Sequence, residues 1–276
     1  MKSLSLKNLR YEYIQAIRFS HALMESKYRV TIPPEHVEKY RILKDMFHAD
    51  FEVGENATHE IDEYQLIHKD PTTGIGSIMK PIVFPHTIVE HCKTLWPADR
   101  PIDISFAGLV TGKRGILIGD WCKNNLRADY SGLPNLNPLS HSLINKIRKA
   151  FGLSPNSYTL RINELVLWSS IRGRTFPIKS WDQEYFDLLT RSKFVLCPSG
   201  YHVWSYRFFE SILCGAIPIV EKDCPAYKGF HFYYMDDPIS EYKWDQETAL
   251  KNYQLCADRI TIPIDELNRE LERLTA

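Results

Sequence analysis

None of the six cysteines (Cys92, Cys122, Cys197, Cys214, Cys224 and Cys256) forms a C-x-x-C pair with another. Scattered thiols in a chain of 276 residues argue against a disulfide framework or a zinc site. Cys197 and Cys214 lie in apolar runs and read as buried, reduced thiols. No stretch approaches the roughly 20 apolar residues that a spanning helix needs, so no membrane span is expected. The N-terminal MKSLSLKNLRYEYIQAIRF is broken by charge throughout, unlike a secretory signal. Net charge is also missing. The 34 basic and 34 acidic residues cancel and leave no overall field to collect nucleic acid. No G-x-G-x-x-G precedes an acidic residue roughly 20 positions on, which excludes the dinucleotide fingerprint of Rossmann oxidoreductases. No D-x-D occurs in the second half; Asp236-Asp237 comes closest and reads as a turn before Pro238. A metal requirement is therefore not expected. Repeats and low-complexity stretches are absent too.

What is present is an ordinary globular composition, 44% hydrophobic and 25% charged, at a length for one large or two small domains. A cytoplasmic location is expected. Residues 9–26 space apolar side chains among charges as in an amphipathic helix with a solvated face. Residues 28–34 read as a strand closed by prolines, 35–47 as a helix with Pro34 in its first turn, 49–60 as a polar loop, and 63–68 as a strand before the turn cluster KDPTTGIG (69–76). Near KTLWPADRP (93–101) the texture changes. IDISFAG (102–108), FVLCP (194–198) and AIPIVE (216–221) are apolar strands; 139–152, 181–192 (capped from Ser180) and 205–215 read as helices, and two more follow Asp245. Apolar strands alternating with helices imply parallel βαβ units. The expected organisation is a first lobe over 1–98, a doubly wound lobe over 99–244 and C-terminal helices over 245–276 that pack back across the lobes.

RSKFVLCPSGYHVWSYRFFESILCGAIPIVE (191–221) carries the chemistry. It reads as strand, loop, helix, strand, with the loop leaving the carboxyl end of a buried strand, where open parallel sheets bind ligands. Ser205 is a credible N-cap, and the helix N-terminus behind it suits a diphosphate. Arg207 presents a planar donor fork to the same anion. Glu210 can accept two hydrogen bonds from vicinal hydroxyls such as those of ribose, and an ordinary i,i+3 salt bridge between Arg207 and Glu210 fits the spacing equally.

The pattern Ser192, Lys193, Phe194, Leu196, Cys197, Pro198, Gly200, Tyr201, Ser205, Arg207, Glu210, Gly215, Ile217, Pro218 resembles the signature of the exostosin-like (GT47-type) glycosyltransferases, and ISFAGLVTGKR (104–114) resembles the start of that family's donor lobe. The resemblance, over about 100–235, implies an α/β, GT-B-like fold of two Rossmann-type lobes, a UDP-sugar donor, a glycan acceptor and inversion at the anomeric carbon. It makes Glu210 the ribose-binding carboxylate and Arg207 a diphosphate contact. Ser205 and the Gly200–Tyr201 loop would line the phosphate and sugar pocket. Gly108 would permit close backbone approach, and Lys113 or Arg114 would face the charge developing on the departing UDP. The segment 163–179 should form the strand and loop that meet the base, with Arg172, Arg174 and Phe176 as candidates. Xylose is the first choice of sugar, ahead of glucuronate, galactose and N-acetylglucosamine.

An inverting displacement also needs a general base within reach of the acceptor hydroxyl. At the end of the strand 63–68, Asp70 is the first candidate and His68 the second, followed by Asp50, Glu55 and His59. Secretory-pathway relatives begin with a membrane anchor and have a longer first lobe, so the resemblance points to a trimmed bacterial or viral relative. The competing readings are a non-catalytic nucleotide-sugar- or glycan-binding protein and a retaining enzyme of the same fold.

Overall fold

The computed structural model describes residues 2–11, 13–110, 112–128, 157–170, 180–200 and 202–276. Contacts sort the chain into two units, Met1–Thr94 with Phe176–Trp181 and Gln254–Ala276, and Leu95–Thr175 with Asp182–Tyr253. Residues 254–276 group with the first unit. Hydrogen bonds across the chain join them there: Phe84 N donates to Ile260 O at 2.7 Å and Ser77 N to the side-chain Oε1 of Glu270 at 2.5 Å.

The first unit holds a four-stranded parallel sheet in the order β3-β2-β1-β4, from β1 (Ser3–Leu6), β2 (Arg29–Ile32), β3 (Phe51–Val53) and β4 (His59–Ile61). Helices α1 (Ile14–Met24) and α2 (Val37–Phe47) make the crossovers. β1 is one of the two inner strands although its sequence, SLSL, is too short and too polar to stand out. The expected loop 49–60 contains both edge strands, whose three-residue length hides any period. α1 is buried at every position from Gln15 to Met24, so the solvated face expected of it does not exist. Its polar residues find partners inside the unit: Gln15 Nε2 donates to Thr73 Oγ1 at 2.7 Å, Ser20 Oγ lies 2.5 Å from Tyr40 Oη, and the Arg18 guanidinium stacks 4.1 Å from the Phe84 ring centre. β5 (Tyr64–Ile67), β6 (Thr72–Ile75) and β7 (Ile78–Lys80) form an antiparallel meander, where the sequence had suggested a strand and a turn cluster. α3 (His86–Thr94) and α8 (Ile264–Leu274) complete this unit.

The second unit is a six-stranded sheet in the order β13-β12-β11-β8-β10-β9. Its strands are β8 (Ile102–Ala107), β9 (Ser157–Ile162), β10 (Leu165–Ser170), β11 (Ser192–Cys197), β12 (Ile217–Val220) and β13 (Tyr233–Tyr234). Only β9 runs antiparallel. β8 lies between β10 and β11, so the chain reverses its direction of winding beside β8, and a crevice for ligand opens there in sheets of this kind. Both faces of the central strands are covered, which is why they read as unbroken apolar runs. Phe106, Leu165, Leu167, Leu196 and Ile219 are all fully buried in one core cluster.

Helices α4 (Lys113–Leu126), α5 (Gln183–Thr190) and α6 (Tyr206–Leu213) connect these strands, and α7 (Gln246–Ile260) carries the chain back to the first unit. α5 is capped by Asp182, whose side chain accepts from Tyr185 N, and not by Ser180 as expected. A buried Arg100 ties α5 and α6 to the sheet. Its Nη1 donates to Thr190 O (2.6 Å) and Ser192 O (2.8 Å) and its Nη2 to Cys214 O (2.7 Å), between the Trp96 and Trp244 rings. Gly215 (φ +77°) makes room, since a Cβ there would lie 2.4 Å from Arg100 Nη2. Together the two units follow the GT-B-like plan of paired, parallel-sheet α/β lobes. The helix expected over 139–152 lies outside the described residues. Among the described residues no helix is long and apolar enough to cross a membrane.

Candidate functional site

At the carboxyl ends of β8 and β11 the two βα units exchange arginines. Arg207, from the first turn of α6, reaches back to β8: Nε donates to Ala107 O at 2.7 Å, and the guanidinium lies 4.4 Å from the centre of the Phe106 ring. Gly108, the next residue, has φ +146°, and a Cβ there would sit 2.4 Å from Arg207 Nη2. Arg114, from the first turn of α4, reaches in the other direction, and a Cβ on Gly200 after β11 would meet its Nη2 at 2.5 Å. Each glycine is thus a place where only a bare backbone leaves space for a guanidinium. Arg207 is only 7% exposed, and its Nη1 is buried with no acceptor among the described residues. A buried donor left without a partner costs about 1–3 kcal/mol, and a phosphate oxygen is the acceptor best matched to a guanidinium fork.

Ser205 is the N-cap of α6 as expected, with Oγ accepting from Arg207 N at 3.2 Å. Its own N–H donates to Tyr227 Oη at 2.8 Å. Two of the N–H groups expected to face a phosphate are therefore engaged within the protein, and the side chain of Arg207 is left as the prominent donor. Tyr227 stacks on Phe208 with ring centres 3.7 Å apart and 14° between planes, which holds the start of α6 in place. Burial raises its hydroxyl well above the usual tyrosine range, so it remains a neutral acceptor.

Glu210 is fully buried and its Oε2 accepts from Tyr185 Oη at 2.6 Å. The i,i+3 salt bridge to Arg207 that the spacing allows does not form: the two side chains turn to different partners. Lys113 and Arg114, expected in a loop, instead open α4 behind Gly112. Lys113 Nζ donates to Ser199 Oγ at 2.9 Å and lies 3.0 Å from Glu221 Oε1. Glu221 was not singled out from the sequence as a site residue, although its place directly after β12 at the same sheet edge is the signal that identifies it. Cys197 is buried, which pushes its thiol up to about 12 and leaves it an unreactive core residue.

Tyr201, Arg172, Arg174 and Phe176 lie outside the described residues. Asp70 and His68 are exposed in the turn between β5 and β6. They follow the carboxyl end of β5, which pairs antiparallel with β6. The parallel strand ends of the first unit carry Asn8 after β1, Glu55 after β3, and Asp62 and Glu63 after β4. Of the other candidates, Asp50 pairs with Arg29 at 3.1 Å and His59 Nδ1 lies 3.2 Å from Thr58 Oγ1. Asp237 closes a turn by accepting from Tyr234 N at 2.7 Å. Among the described residues no cluster of three or more His, Cys, Asp or Glu is arranged to hold a metal ion.

A doubly wound sheet with arginines gathered at its switch point defines an α/β protein whose candidate ligand crevice lies at the carboxyl ends of its strands. Residues 40–228 match the Exostosin GT47 domain, and the chain belongs to that glycosyltransferase family. Over 72 residues it is 35% identical to a probable glucuronosyltransferase of Oryza sativa subsp. japonica, a stretch that takes in 26% of this chain and 17% of that protein. Among solved structures it is similar to AviGT4, a glycosyltransferase involved in avilamycin A biosynthesis (TM-score 0.41, 12% identity, 99% of this chain and 97% of that one). It is also similar to the GtfA/B complex (TM-score 0.34, 11% identity, 89% and 44%) and to a glycosyltransferase from Rickettsia africae ESF-5 (TM-score 0.35, 11% identity, 99% and 69%).

Proposed function

We propose that this protein transfers a sugar from a UDP-sugar to a glycan acceptor with inversion at the anomeric carbon, and that the strand ends of β8 and β11 bind the diphosphate. The observation that supports this most directly is Nη1 of Arg207 beside Gly108, buried and without an acceptor among the described residues. In the displacement an acceptor hydroxyl oxygen bonds to the anomeric carbon as the bond from that carbon to the UDP oxygen breaks. UDP leaves with the electron pair, and a base takes the hydroxyl proton. Arg207, Arg114 and Lys113 supply positive charge where the leaving group becomes negative. The family resemblance assigns Glu210 to the ribose hydroxyls, which requires its buried carboxylate to exchange the bond from Tyr185 for the sugar. For the base, Asp70 and His68 stay the candidates named from the sequence, and we add Asp62, which follows β4, the strand that pairs parallel with β1 where the first unit's sheet changes winding direction. Xylose is the first sugar to test.

The test is calorimetric titration with UDP together with turnover on a panel of UDP-sugars, with the product anomer read by NMR. Arg207→Met should weaken UDP by roughly 10- to 100-fold, the value of one charge-assisted contact. If Asp62 is the base, Asp62→Asn should abolish turnover while leaving UDP affinity intact. A wild-type protein that takes up no UDP at millimolar concentration would overturn the proposal.

A further inference from the structure

One charged cluster at this sheet edge has a composition that a phosphate site does not require. Glu221 follows β12, Ser199 follows β11 and Lys113 opens α4. Lys113 Nζ lies 3.0 Å from Glu221 Oε1 and 3.2 Å from Oε2 and donates to Ser199 Oγ at 2.9 Å, while Ser199 Oγ donates in turn to Glu221 Oε2. Ser199 is buried, and the Glu221 side chain is 14% exposed against 55% for Lys113. A carboxylate this shielded opposes a dianionic ligand nearby, and its closest charge compensation among the described residues is the lysine the ligand would use, with Lys222 acting from further away.

We propose that Glu221 is an internal counter-anion that competes with the nucleotide's phosphates for Lys113, and that it thereby sets how tightly the site holds a nucleoside diphosphate. The inference rests on the nucleotide-sugar reading above and names the residue that tunes that site. A phosphate binding here must draw the ammonium away from a carboxylate and a hydroxyl that already hold it. The release of product gains from the same competition, since Lys113 has an internal partner to return to when UDP leaves. Burial raises the Glu221 carboxyl, but the bonds from Ser199 and Lys113 and the lysine charge outweigh it, so the group stays ionised at neutral pH.

Binding of UDP, inorganic pyrophosphate and uridine to the wild-type chain and to Glu221→Gln, measured by calorimetry at low and high salt, tests this. Glu221→Gln should bind UDP and pyrophosphate about three- to tenfold more tightly at low salt, in keeping with a partly exposed ion pair. The gain should shrink at high salt, and uridine should be unaffected. Glu221→Ser, which removes the charge without leaving an amide to bury, should behave the same way and stands in if the glutamine variant does not fold. UDP affinity unchanged or weakened in the folded variants, with wild type binding UDP, overturns the proposal and leaves the transferase reading standing. Equal tightening of uridine also overturns it, because the effect would not act through phosphate charge. Failure of wild type to bind UDP removes both.

Discussion

Replacing Gly108 with alanine places a methyl group 2.4 Å from Arg207 Nη2, on a backbone with φ +146° that side-chain-bearing residues avoid. The backbone strain alone should cost roughly 1–3 kcal/mol, lowering Tm by about 2–4 °C per kcal/mol in a protein of this size. The guanidinium must also move, because the backbone end of β8 is held by Gly108 N donating to Trp168 O at 3.0 Å and has less freedom than a side chain. Moving it breaks the bond from Nε to Ala107 O and takes Nη1 away from the phosphate position. UDP affinity should fall by roughly 10- to 100-fold, the worth of one charge-assisted hydrogen bond. Calorimetric titration of Gly108→Ala, Arg207→Met and the double variant measures the coupling directly. If the glycine acts through the arginine, Gly108→Ala costs little further affinity once Arg207 is gone. An equal loss in both backgrounds would refute the reasoning. Gly200→Ala is the matching case: its Cβ would meet Arg114 Nη2 at 2.5 Å, but the backbone there needs no left-handed conformation, so affinity should fall with little change in Tm.

Stability should depend on pH through His21, which is 1% exposed and whose imidazole burial pushes down to about 3. The folded protein keeps this ring neutral while the unfolded chain protonates it near 6.5, so its contribution is complete above pH 6.5 and is lost as pH falls toward 3. By pH 5 the loss is about 2 kcal/mol. Urea unfolding at pH 7 and pH 5 should show that loss in wild type and not in His21→Gln; the same loss in both would exclude the histidine as its source. Arg100→Met leaves three carbonyls without their donor, at about 1–3 kcal/mol each, and Arg100→Lys should not rescue it because one ammonium lacks the planar fork. A melting temperature within a degree or two of wild type would show that the strut is dispensable.

The segment 191–221 was legible because its signals are local and agree: an unbroken apolar strand, a Ser205 whose hydroxyl can cap the helix behind it, and a glycine where that helix stops. The same holds for β8. The first unit was harder to read for a physical reason. β1, β3 and β4 are three or four residues long, too short to display a period, and gain their stability from neighbours far along the chain. KDPTTGIG carries turn residues, yet Thr72–Ile75 pair on both sides as the middle strand of a meander, and tertiary pairing overrides their propensity. The charges of α1 suggested a wet face because sequence shows polarity and not the partners, such as Thr73 and Tyr40, that allow polar groups to be buried.

At the site, the residue types were determined by the sequence: a glycine-bearing loop after each of two apolar strands, the first leading to Lys113 and Arg114, with Ser205, Arg207 and Glu210 at helical spacing after the second. Which arginine meets which glycine was decided only in three dimensions. Arg207 lies 100 residues from Ala107 and reaches it because β8 and β11 are adjacent in a parallel sheet, which no local pattern encodes. The same adjacency brings Lys113, Ser199 and Glu221 together. Local propensity acts over one or two turns of chain, whereas the charge environment of a strand end is set by whichever strands the whole sheet places beside it.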